Sequence, residues 1–300
     1  MQALFDQDLL PRIVCGSSVG SIIASYICSR RYEDLPQVFE LSQYIENPFL
    51  AYKKDGITGL IVNLVRGEPV LDTLHLKRVI RKTIGDVTFK EIHERYKWNL
   101  NITVTDERKT DEARLLNYLT TPNVVVWSAV LASSAIPGFF EPVELMIKND
   151  FGEIMPYHPS VGLTRYIDGT IGGDLPMQRM SELFNVNTFI VSQVNPHVVP
   201  FVSHDGGGIL ESNIRKRFIQ TLKAFLGNEV KHVVTQLCTI GVMPLPLKRM
   251  SFLITQSYKG HVTIVPQPKL KHYKNILINP TVEEYHDAIK SSYNSTLRSK

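Results

Sequence analysis

Apolar positions along this chain fall into two patterns, short continuous runs and helical stripes. Ile13, Val14 and Cys15 form a three-residue apolar run of the kind a buried parallel strand uses. Val19, Ile22, Ile23, Tyr26 and Ile27 then recur at i, i+3, i+4, i+7 and i+8, which predicts one apolar helix face. Residues 32–53 predict one or two helices, broken at Asn47-Pro48. Stretches 56–66 and 69–84 read as mainly helical, and Thr88 to Tyr96 as a further short helix. Asn101 to Thr105 alternates polar and apolar at period two, which predicts a strand, and Asp106 to Asp111 a charged loop. The uncharged stretch from Val124 to Phe140 contains Pro137 and Gly138 and is short for a bilayer span, so it predicts a buried helix over 124–135. Tyr166-Ile167 leads into a glycine-rich loop from Asp168 to Pro176, and Pro176 suits the first turn of the next helix. Thr188 to Val194 is a strand. Strands alternating with helices predict an α/β fold around a largely parallel sheet.

The pattern changes after Pro200. His204 to Gly208 reads as a flexible joint, and 213–238 as a basic amphipathic helix. On that helix Phe218, Leu222, Leu226, Val230, Val233 and Leu237 share a face, with Arg215, Lys216, Arg217, Lys223 and Lys231 elsewhere. It either lies in a membrane interface or packs on the domain. Met243 to Leu247 is a stiff turn, His261 to Val265 a strand, and Thr281 to Glu284 a capping box opening a last helix. These breaks divide the chain into a domain over 1–200 and an extension over 201–300.

Bulk properties narrow the field. Hydrophobic content of 43% with 21% charged residues suits a globular chain, and the net charge of +4 makes no strong case for nucleic acid. That charge is compatible with an anionic lipid surface. Cys15, Cys28 and Cys238 are odd in number and far apart, so neither a disulfide framework nor a zinc site is expected, and a reducing compartment fits. Neither a cofactor nor a metal is called for. Met1 to Asp8, with Asp6 and Asp8, reads as the end of a helix entering the first strand and not as a signal peptide.

The candidate chemistry lies where strand meets helix. Gly16, Ser17, Ser18, Val19 and Gly20 fit G-x-S-x-G, and strand, sharp glycine turn and helix are the setting of a nucleophile elbow. There the Ser18 hydroxyl would stand at a helix N-terminus, which favours an alkoxide or a developing oxyanion. The plainer reading is a glycine turn carrying two surface serines. A serine nucleophile needs a base, and the order Ser18, Asp168, His197 allows a triad. His197 is otherwise a strand-end histidine bonded to nearby backbone.

Three blocks together suggest a different arrangement. Gly16 to Gly20, Ala132-Ser133-Ser134-Ala135-Ile136-Pro137 and Asp168-Gly169-Thr170 resemble, in order and spacing, the elbow, the Ala-Ser-x-Ala-x-Pro block and the Asp-Gly-Gly/Thr motif of the patatin-like phospholipase family. The resemblance covers about residues 1–200. The wording of Asp168 to Pro176 and of Val194 to His197 is similar to the fungal and plant storage triacylglycerol lipases, and 201–300 looks like the extension of that branch. It implies a three-layer α/β/α fold with a mainly helical C-terminal extension, and a serine–aspartate dyad without cofactor. Ser18 would be the nucleophile and Asp168 its base. Gly16, Val19 and Gly20 would shape the elbow and its oxyanion support, Gly169 and Thr170 the motif loop, with Asp174 shaping that loop's second half. The implied substrate is storage triacylglycerol, or alternatively phospholipid or lysophospholipid, met peripherally at a lipid droplet or the cytoplasmic face of a membrane. The His-x4-Asp acyltransferase motif is absent. The family's glycine-rich oxyanion loop has no counterpart between Met1 and Cys15, and one lost oxyanion donor costs on the order of 10²–10³ in rate. Little activity is therefore expected of these residues alone, and a catalytically impaired lipid-binding chain is the second expectation. A soluble Ser-His-Asp esterase is a further one.

Overall fold

In the computed structural model, the described residues are 1–41, 72–137, 139–158, 164–171, 175–193, 229, 232–233, 236–237, 240–241, 260–265 and 281–298. The expected helices over 42–53 and 56–66, the joint at 204–208, most of 213–238, and Asp174, His197 and Cys238 lie outside them. Two compact units result, Pro11–Arg179 and a second formed by Met1–Leu10 with Met180–Lys300.

The first unit is built on one central strand. Strand β1 (Ile13–Gly16) leads into helix α1 (Val19–Cys28), followed by a 3₁₀ turn (Tyr32–Asp34) and helix α2 (Leu35–Leu41). Helices α3 (Thr73–Ile84) and α4 (Phe89–Tyr96) precede strands β2 (Asn99–Asp106) and β3 (Lys109–Leu116). Local chemistry sets these boundaries. Asp72 caps α3 by accepting from the Leu74 and His75 amides at 2.8 and 3.0 Å. Thr88 and Glu91 form a reciprocal capping box on α4. Helix α5 (Val126–Ser133) is buried at every position, as its uncharged, mainly apolar sequence allows. A small antiparallel pair, β4 (Met146–Lys148) with β5 (Ile154–Pro156), and strand β6 (Tyr166–Asp168) complete the sheets of this unit.

The sheet around β2 is mixed and not largely parallel. β1 runs parallel to β2, whereas β3 and β6 both pair with it antiparallel. The expected charged loop at Asp106–Asp111 is largely a hairpin. Asp106 Oδ1 accepts from the Arg108 amide at 3.0 Å, so a two-residue turn over Glu107 and Arg108 returns the chain as β3. A connection that short can only join antiparallel strands.

Two further expectations change. The period-two pattern of β2 suggests one wet face, yet nearly the whole strand is buried. Its polar row Asn101, Thr103, Thr105 is satisfied internally, through bonds to the Val14 carbonyl (3.3 Å), the Ser17 hydroxyl (2.7 Å) and the Gly169 carbonyl (3.4 Å). On α1 the buried residues are Ser21, Ala24, Ser25, Ile27 and Cys28, so that of the expected apolar stripe Ile27 alone is buried. Small side chains let this helix lie close to the sheet, and Val19 and Ile23 are left 46% and 44% exposed.

In the second unit, β7 (Ile190–Ser192) pairs parallel with β8 (Val262–Ile264). A long helix follows (Val282–Arg298), opened by the expected capping box at Thr281 and Glu284 and bonded from Tyr293 to Asp6 at 2.9 Å.

Candidate active site

Two strand ends meet on one edge of β2. β3 occupies the other edge, so β1 and β6 share this one. β1 runs along it until Gly16 stands opposite Ile102. β6 runs from the opposite direction until Asp168 stands opposite Val104. Only Thr103 separates the two stops, and the residues following both strands are delivered to the same place.

Thr103 fastens both. Its hydroxyl donates to Ser17 Oγ at 2.7 Å, and its backbone lies against Gly169 so closely that a Cβ there would collide with it. Gly16 is equally confined, since a Cβ would sit 2.5 Å from the Gly20 carbonyl oxygen and 2.6 Å from Ser21 Cα. Gly20 has nothing within 4 Å of that position. The two glycines of the elbow motif therefore do different work. Gly16 lets the helix fold back on its strand, and Gly20 is merely compatible with the turn.

Ser18 sits at φ 51°, ψ −129° at the head of α1. This lies outside the left-handed helical region that other positive-φ residues visit, such as Lys97 at φ 59°, ψ 30°. Holding a serine there costs about 1–3 kcal/mol and requires surrounding bonds to enforce it. The Ser18 amide donates to Ser133 Oγ at 3.0 Å, and its carbonyl accepts from Ser21 Oγ at 2.6 Å. The half-buried side chain is thus turned out of the helix, beside the first-turn N–H of Val19.

Asp168 is fully buried. Its amide donates to the Ala135 carbonyl at 3.1 Å, and its Oδ1 accepts from the Thr170 amide and hydroxyl at 2.9 and 2.8 Å. Burial pushes its carboxyl up to about 6, against the opposing pull of the Thr170 amide, the Ser18 hydroxyl and the Thr170 hydroxyl. The Ser18 side chain is therefore close enough to favour the carboxylate, while Oδ2 itself has no hydrogen-bond partner. A buried carboxylate oxygen without a donor keeps its basic lone pairs available. Ser134 Oγ is a second buried polar atom left without a partner, at the end of α5.

Of the residues singled out from the sequence, Gly16, Ser18, Val19, Gly20, Asp168, Gly169 and Thr170 lie at these two strand ends, whereas Asp174 and His197 fall outside the described residues. Sequence reasoning missed Thr103 and Ser133. Ser133 stood inside a block already picked out, and the polar row of β2 was the available signal for Thr103. Cys15 and Cys28 take no part; burial raises the Cys15 thiol to about 12 and pushes the Cys28 thiol up as well. Among the described residues, no three His, Cys, Asp or Glu side chains gather as a metal-binding group.

Comparison with known proteins identifies the family. Triacylglycerol lipase SDP1L of Arabidopsis thaliana is 38% identical over 300 residues, covering 96% of this chain and 36% of that protein. Triacylglycerol lipase 4 of Saccharomyces cerevisiae is 35% identical over 295 residues, covering 93% and 32%. Triacylglycerol lipase ptl3 of Schizosaccharomyces pombe is 32% identical over 294 residues, covering 96% and 59%. The chain thus spans about a third of the first two relatives and just over half of the third. Among solved structures, VipD from Legionella pneumophila aligns at a TM-score of 0.44 and 13% identity, over 99% of this chain and 63% of that one. The family model described as Patatin-like phospholipase matches residues 1–180, a span that takes in both strand ends and the α5 block between them. The chain belongs to the patatin-like phospholipase family.

Proposed function

We propose that this chain is a lipid acyl hydrolase that cleaves carboxylic esters through Ser18 and Asp168, with triacylglycerol as its substrate class. The observation that carries the reading is the pairing of a serine in a strained backbone conformation with a buried carboxylate whose Oδ2 is unbonded. In the first step Ser18 Oγ attacks the ester carbonyl carbon while its proton passes to Asp168, which must start ionised. The carbonyl oxygen gathers negative charge, to which the Val19 N–H at the head of α1 would donate. Collapse breaks the ester C–O bond, and Asp168 returns the proton to the leaving alcohol. Water then attacks the acyl-serine, giving its proton to Asp168 and releasing the fatty acid as Ser18 regains its hydrogen.

A lipid substrate is supported by the surface beside Ser18. Val19 and Ile23 present an apolar ridge one helical turn long, suited to acyl chains. The printed names of the relatives favour triacylglycerol. The family description points also to phospholipid, which is the alternative substrate. Action at a lipid droplet or membrane surface would be from one side, and among the described residues no helix is long and apolar enough to cross a membrane.

A fluorophosphonate probe reads the nucleophile directly. Labelling of the chain that disappears in Ser18→Ala and falls steeply in Asp168→Asn is expected, with emulsified triacylglycerol turned over faster than phosphatidylcholine vesicles. Labelling that survives Ser18→Ala would overturn the assignment. Preference for phosphatidylcholine would transfer it to the alternative substrate.

A further inference from the structure

We propose that the outer face of helix α3 is a docking surface for the phosphate headgroups of an anionic phospholipid layer. The inference stands on that helix and does not depend on Ser18. Leu74, Lys77, Arg78, Arg81 and Lys82 recur at i, i+3, i+4, i+7 and i+8 and all are exposed, while Leu76, Val79, Ile80 and Ile84 are buried. Thr73 to Ile84 contains neither aspartate nor glutamate. The same five exposed residues, with Asp86, line a shallow hollow. Among the described residues that line the hollow, Lys77, Arg78 and Arg81 thus share one carboxylate, Asp86.

That carboxylate organises the patch without neutralising it. Asp86 takes a bidentate pair from Arg81 at 2.7 and 2.8 Å and a bond from Trp127 Nε1 at 2.9 Å. Lys77 and Arg81 lie over the Trp127 ring, 5.1 and 5.4 Å from its centroid. The Trp127 ring and Asp86 thus hold Lys77 and Arg81 in place, so they are positioned before any anion arrives.

Leu74 decides the kind of anion. It is 71% exposed, at the start of the cationic stripe. A nucleic-acid backbone or an acidic peptide would use the cations and gain nothing from this side chain. A headgroup layer offers phosphate to the cations and an acyl boundary to the leucine, the combination that interfacial helices exploit.

The test is co-sedimentation of the full chain with phosphatidylcholine vesicles, with and without phosphatidylserine. Wild type and Ser18→Ala are expected to bind the anionic vesicles, and added salt to release both. At about 1 kcal/mol for each cation near such a surface, losing two lowers binding by about thirtyfold, and reversing both in K77E/R78E lowers it further. Turnover of a soluble short-chain ester should be unchanged by that double substitution, which separates this surface from the candidate dyad. Leu74→Ser should weaken binding with the salt dependence kept. If K77E/R78E fails to show the wild-type melting temperature, K77Q/R78Q replaces it, with a smaller loss expected. Equal binding of wild type and the folded double variant, equal binding to neutral vesicles, or displacement by an RNA oligonucleotide at wild-type vesicle affinity would each overturn the proposal.

Discussion

The turns after β1 and after β6 reach the same point on β2 at different kinds of cost. At Ser18 the cost is conformational, because the residue occupies a backbone region serine avoids and three neighbouring hydroxyls, from Ser133, Ser21 and Thr103, brace the turn. At Asp168 it is electrostatic. That backbone is ordinary strand, but the carboxyl is fully buried and half of it lacks a partner. The contrast teaches that two groups proposed to act together are made reactive separately, one by geometry and the other by desolvation. Each can therefore be disturbed without disturbing the other.

The largest expected effect lies on the conformational side. Gly16→Ala forces a Cβ into the backbone of Gly20 and Ser21, where no side chain can move aside. A loss of about 3 kcal/mol or more is expected, read as a lower urea midpoint. The electrostatic side comes next. The Asp168 carboxyl stands at about 6 in the folded chain, above the ordinary aspartate value of 3.8, so the folded state holds its proton more tightly. Stability then falls as pH rises from about 4 to 6 and stays lower above that, by about 3 kcal/mol in all. Asp168→Asn should remove this fall. The variant is expected to melt higher than wild type at pH 8, with the difference closing near pH 4, while probe labelling is lost. A melting difference independent of pH would show that burial of the charge is not the source.

A smaller effect is expected from Thr170. Thr170→Val takes away one of the donors that favour the Asp168 carboxylate and leaves the amide. The acid limb of the kcat/KM profile, expected near pH 6 in the wild type, should move to higher pH, and Thr170→Ser should restore it. The smallest effect closes the comparison within the elbow itself. Gly20→Ala meets no atom and should change stability by about +0.5 kcal/mol, with labelling retained. Similar losses at Gly16 and Gly20 would show that the motif's glycines are not distinguished as their surroundings suggest.

Much of this site could be read from the chain before any coordinates. Ser18 follows an apolar run and precedes a helix, and Asp168 opens a glycine-rich loop, so both are marked by local pattern. What brings them together is not local. Thr103 looks like any polar residue of an alternating strand, and its role depends on where β1 and β6 stop along β2. Hydrophobic patterning also misassigned the inner face of α1, because close packing on the sheet favours small residues over large apolar ones. β3 was hidden by the charged turn that begins it. A stretch rich in Asp, Glu, Arg and Lys carries no apolar period, although a strand paired on a buried neighbour can tolerate one.

The brevity of β6 has a consequence for heating. Three residue pairs join β2 to the strand that ends in Asp168, with bonds to Val143 and Ala135 besides, whereas β2 and β3 share a ladder of eight-residue strands. Short ladders fray at lower free energy than the body they belong to. Warming should therefore detach the acid from the serine while most of the molecule is still intact. Heat inactivation would then precede the loss of circular dichroism, and cooling would reverse it.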